Sequence, residues 1–87
     1  MEKIDKKIRY CMKITGDCLG KAEALDKQGA LLMNWAKSYF SDAEFYLEKK
    51  DKETALEAVA YAHGFIDSGV LLGHIKIKGY YLERELI

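Results

Sequence analysis

No proline occurs anywhere in the chain, so no helix is forced to kink or stop for want of a backbone N–H. Glycine is the only strong helix breaker left. Cysteine is scarce, with Cys11 and Cys18 the only two. Seven positions along one helix separate them by about 10 Å, beyond disulfide reach. With no CxxC and no neighbouring histidine they do not make a zinc site. They read as small apolar side chains on a core face. An excess of either charge is missing too: Lys plus Arg is 14 and Asp plus Glu is 14. The balance holds by segment, with six basic and five acidic groups in residues 1–26, four and three in 27–50, and four and six in 51–87. A nucleic-acid binder shows a basic face that displaces counterions, and this chain offers none, so no nucleic-acid partner is expected. Charge-free runs such as Ala58–Ile66 and Ser68–Ile75 fall far short of the ~20 residues that span a bilayer. The N-terminus is charged rather than apolar, unlike a signal peptide. These features predict no membrane partner and a soluble, cytoplasmic protein. No Gly-rich phosphate loop, HExxH or GxSxG occurs. The pattern therefore names no catalytic, cofactor-binding or metal-ligating residue.

What is present is apolar and small. Hydrophobic residues make up 49% of the 87 positions and charged residues 32%, a globular balance. That length predicts one domain, residues 1–87, with a feasible but thin core. Frequent Ala, Leu, Lys and Glu without proline predict an all-α class.

Helix 1 is expected over about 2–26, from a heptad-like stripe of Ile4, Ile8, Cys11, Thr15, Cys18, Ala22 and Leu25. Gly16 and Gly20 weaken it and allow a neighbour to approach. Asp26 to Gly29 reads as a turn, with Gly29 available for positive φ. Helix 2 is expected over about 30–49. One stripe holds Leu32, Ala36, Tyr39, Ala43 and Tyr46, and a second holds Leu31, Trp35, Ser38, Asp42 and Phe45. Two stripes suit a helix with two neighbours, as in a three-helix bundle. Asp51 is a good N-cap for helix 3, expected over about 52–72. That helix is apolar or small nearly all round, so it needs more than one neighbour. Its core face is Ala55, Ala58, Val59, Ala62, Ile66, Gly69 and Gly73, and its opposite face holds Ala60, Gly64 and Ser68. Ile75 to Lys78 alternates like a short strand, and Tyr80–Ile87 is helix-like, so the tail, 74–87, reads as a docked extension or a helical tail.

The stretches Tyr39-Phe40-Ser41-Asp42-Ala43, Phe45-Tyr46-Leu47-Glu48-Lys49, Tyr61-Ala62-His63-Gly64-Phe65-Ile66-Asp67-Ser68-Gly69 and Leu72-Gly73 resemble an archaeal family, the domain of unknown function numbered 357. The resemblance is specific over about 30–73 and vaguer over helix 1. It implies a closed, up-and-down three-helix bundle, here with a short C-terminal extension, and it implies no activity. The tail runs past the family's usual end. Asp42, Tyr61, His63, Gly64 and Asp67 carry over as positions to watch.

His63 and Asp67 stand four apart and share a helix face. They read as a helix-surface pair, or as an oriented imidazole for a metal or a proton. Folding the hairpin brings Asp42 opposite about 59–60, within reach of Tyr61 and His63. Asp42, Tyr61, His63 and Asp67 are thus the candidate polar cluster, against a plain reading in which Asp42 is a satisfied carboxylate. Leu31, Trp35 and Phe45 read first as core beneath helix 1 and second as an exposed patch. Ala60, Gly64 and Ser68 read equally as close packing within the chain or as an interface between copies. These six form the candidate interface. The expected function is a small interaction or scaffold module, acting on a protein partner or on itself as a homodimer, and leaning away from an enzyme. The alternative is a ligand- or metal-binding protein, conceivably an enzyme, built on the polar cluster, which keeps a small molecule open as a ligand.

Overall fold

The structure, a computed structural model, describes residues 2–80. Helix α1 (Lys3–Lys21) begins where Asp5 accepts from the Glu2 amide at 3.2 Å. Asp26 opens α2 (Lys27–Glu48), its carboxylate accepting from the otherwise free Gly29 amide at 2.8 Å. Asp51 caps α3 (Lys52–Leu71) through the Thr54 amide at 3.2 Å, and Glu53 adds a favourable charge in the first turn.

Helices α2 and α3 end alike. After α2, Asp51 N–H donates to the Tyr46 carbonyl at 2.9 Å and Lys50 N–H to that of Leu47 at 3.0 Å. After α3, His74 N–H donates to Gly69 at 2.8 Å and Gly73 N–H to Val70 at 3.2 Å. This paired closure needs one left-handed residue. Gly73 supplies it at φ 80°, whereas Lys50 does so at φ 62° despite its Cβ.

The helices run up, down, up. Trp35 stacks on Phe65 and Tyr39 lies tilted against Tyr61, so α2 and α3 are antiparallel. The Asp5–Lys52 ion pair (2.8 Å) and the Thr15–His63 hydrogen bond (3.0 Å) set α1 parallel to α3. The chain is an all-α three-helix bundle. Its centre is built from small side chains: Ala36, Ala43, Ala55, Ala58 and Ala62 are buried, with Val59 and Ile66. Phe40 packs over Gly16 of α1, while Gly20 has no such neighbour. No described helix is long and apolar enough to cross a membrane.

One short element interrupts the helical plan. Strands β1 (Glu23–Ala24) and β2 (Ile75–Lys76) pair antiparallel, Glu23 with Lys76 and Ala24 with Ile75. Helix α1 therefore stops at Lys21 rather than near residue 26, and Leu25 is exposed. The period-two pattern after α3 is real: Ile75 and Ile77 are buried, Lys76 and Lys78 exposed. The segment docks on two glycines. A Cβ on Gly69 would overlap the Ile75 side chain, and one on Gly29 would overlap the His74 carbonyl. Gly29 thus lies inside α2 and serves close approach, not the positive-φ turn expected of it. Of the helix-like reading of Tyr80–Ile87, residues 81–87 lie outside the described residues.

Candidate functional site

Helix α3 carries two candidate sites on two of its faces. On the face toward α1, Thr15, 1% exposed, lies 3.0 Å from Nδ1 of His63. On the other side of the imidazole, Nε2 lies 3.0 Å from the Tyr80 hydroxyl and 3.4 Å from Asp67 Oδ1. The Tyr80 hydroxyl donates to that same Asp67 oxygen. In a neutral imidazole these contacts select the tautomer. A phenol that donates to the carboxylate accepts from His63 Nε2–H, and Nδ1 then accepts from the Thr15 hydroxyl. Burial pushes the thiol of nearby Cys18 above its ordinary value, the Tyr80 contact works the other way, and the Asp67 charge raises it further. A thiol held protonated is a poor nucleophile. Among the described residues, no three His, Cys, Asp or Glu side chains are grouped to hold a metal.

Above this network a cavity of about 440 Å³ opens between α1 and α3, lined by Tyr10, Cys11, Ile14, Thr15, Val59, Ala60 and His63.

The outer face of the α2–α3 hairpin is the second site. Trp35 lies 6.1 Å from Phe65 with rings 18° apart, Phe65 lies 5.7 Å from Tyr39, and Tyr39 lies 5.4 Å from Tyr61. Four rings therefore form a continuous row across the seam. Leu31 is 57% exposed, Trp35 50%, and Tyr61 62%. Beyond Glu57, the exposed positions of α3 are Ala60, Tyr61, Gly64, Ser68 and Leu71, and none is charged. A groove of about 630 Å³ runs along them, lined by Glu57, Ala60, Tyr61, Gly64, Phe65 and Ser68.

A family model described as "Protein of unknown function (DUF357)" matches residues 11–75. The chain belongs to the DUF357 family. No curated protein and no solved structure matches it. Within this DUF357 chain the match takes in Thr15, His63 and Asp67 and ends before Tyr80.

The structure brings His63 and Asp67 together and leaves Asp42 and Tyr61 out. Asp42 is exposed on α2, and Tyr61 points into the aromatic row. The hairpin register expected from the turn is right to within two residues, but His63 faces α1 whereas Asp42 faces solvent. Thr15 and Tyr80 take the places assigned to them. Thr15 left a signal, as the one hydroxyl on the apolar stripe of α1, whereas Tyr80 left none. His74 follows the turn at Gly73 and pairs with Asp26 at 2.7 Å.

The reading of Leu31, Trp35 and Phe45 as core beneath α1 is corrected, since all three are exposed. Phe45 stands apart from the row, with Tyr46 edge-on at 5.3 Å and the Lys49 ammonium 5.4 Å from its ring centre. At the ladder's centre, a Cβ on Gly64 would meet no atom of another described element within 4 Å. A mid-helix glycine costs about 1 kcal/mol relative to alanine, and among the described residues no close approach at Gly64 offsets it.

Proposed function

We propose that this chain is a small helical interaction module that docks a protein through the outer face of α2 and α3. The observation that carries the reading is the uncharged, half-exposed aromatic row of Trp35, Tyr39, Phe65 and Tyr61 in a chain with 32% charged residues. Solvated helix faces normally carry charge, and contiguous exposed apolar surface marks contact sites. The candidate interface residues Leu31, Trp35, Ala60, Gly64 and Ser68 belong to this face, and Phe45 lies beyond its end. No catalytic role is assigned to His63. Thr15 and Tyr80 engage both its nitrogens, which makes the ring a fastener between α1 and the segment after β2.

The test is a photo-crosslinking side chain placed at Tyr61, compared with one at exposed Lys13 on α1, in native lysate. The reading expects adducts at 61 and none at 13. Equal labelling at both positions, or none at 61, overturns it.

A second reading is favoured by the 440 Å³ cavity beside Thr15 and His63: a small apolar ligand held between α1 and α3. Native mass spectrometry tests it. An added mass present in the natural protein and lost in His63→Ala supports a ligand, and identical bare masses contradict one.

A further inference from the structure

We propose that the occupant of the α2–α3 face is a second copy of this chain, packed antiparallel across a two-fold axis beside Gly64. The proposal rests on the reading of that face as a contact surface and names its partner.

Charge favours the pairing. The chain is neutral overall, so two copies meet without net repulsion. Beyond Glu57 the exposed α3 positions carry neither sign, so on that helix a basic or an acidic partner finds no opposite charge. Glu57, at one end of the groove, also selects the orientation. In an antiparallel pair the two Glu57 side chains lie about 21 Å apart along the axis, at 1.5 Å per residue, well beyond a screening length of about 8 Å. A parallel pair would set them side by side.

Shape favours it too. A two-fold contact requires a surface that complements itself. Ala60 and Ser68 stand one turn either side of Gly64, so antiparallel pairing sets Ala60 against Ser68 of the second copy. Leu71, two turns beyond Gly64 and 53% exposed, then projects toward the Glu57 end of the other groove. One face thus supplies both the hollow and the projection that fills it.

Area is sufficient. Leu31, Trp35, Tyr61, Leu71 and Leu72 each keep half or more of their surface in water. With whole aromatic side chains at about 150–250 Å² and leucine somewhat less, these and the small residues between them offer about 600 Å² per copy. Pairing then buries about 1,200 Å² in total, the lower end of what specific, stable contacts use.

Sedimentation equilibrium on the full chain, across the micromolar range, tests the proposal with wild type and Gly64→Glu. A Cβ at 64 meets no atom of another described element within 4 Å, so the variant is expected to keep its helical circular dichroism. Wild type is expected to rise to the mass of two chains. Gly64→Glu, which buries two like charges at the axis, is expected to bind itself about 100-fold or more weakly. With the native Cys11 and Cys18 replaced by alanine, a bismaleimide is expected to join Gly64→Cys to itself and to leave Lys13→Cys single. Wild type at single-chain mass throughout, or Gly64→Glu pairing like wild type, overturns the proposal. If the Tyr61 crosslinker still captures another protein while wild type stays single, the second copy falls and the contact face stands.

Discussion

The Tyr80 hydroxyl lies 3.0 Å from His63 Nε2 and donates to Asp67, one turn further along α3. One phenol thereby fastens the chain beyond β2 to the middle of the bundle. Thr15, on the far side of the ring, extends the bridge to α1.

Tyr80→Phe removes the bridging hydroxyl and little volume. The expected loss is about 1–2 kcal/mol, since partly buried acceptors and donors lose a partner. Hydrogen exchange at residues 75–80 should accelerate well before that of Ala62 or Ile66 at the core of α3. Uniform acceleration across the chain would show that the bridge does not act locally.

Two glycines in helices should answer oppositely to alanine. Gly29→Ala drives a methyl into the His74 carbonyl, and overpacking of that kind costs about 1–3 kcal/mol. Gly64→Ala faces open space in the single chain and gains up to about 1 kcal/mol of helix propensity. Urea unfolding of both variants at low protein concentration checks the pair.

Lys50 holds a left-handed conformation at φ 62° to close α2. Glycine adopts that conformation freely, so Lys50→Gly should stabilise by about 1 kcal/mol. Thermal melting reads the gain directly.

Asp26 accepts from His74 at 2.7 Å and from the Gly29 amide at 2.8 Å, and these contacts, the His74 bond foremost, hold its carboxyl below the ordinary value of 3.8. A pKa lowered by folding stabilises the fold above the ordinary value and is lost as pH falls through the folded one. Asp26→Asn keeps a capping oxygen but not the charge. Its urea midpoint should fall below wild type near neutrality, and the gap should close as pH drops below about 3.8. A gap that persists unchanged in acid would contradict the assignment.

The hairpin was legible because its signals are local. Asp51 caps α3 where expected, and folding about the turn before it gives the α2–α3 register to within two residues. The end of α1 was not legible, because Ala22 and Leu25 continue the apolar stripe while the feature that stops the helix is Ile75, paired with Ala24 from far along the chain. The polar site divides the same way. His63 and Asp67 are one turn apart and readable, whereas Thr15 and Tyr80 join them only through tertiary packing. Asp42 was misplaced because register along a helix is easier to read than rotation about it. Gly29 resembled a turn residue, and only the passing His74 carbonyl explains it.

Hydroxyl-radical footprinting in native lysate, set against the dilute purified chain, tests the contact face most directly. Tyr10, 65% exposed on α1, serves as the internal control. The account predicts that Trp35 and Tyr61 are protected in lysate while Tyr10 reacts equally in both. Trp35 and Tyr61 reacting in lysate as fast as in the dilute chain would contradict it.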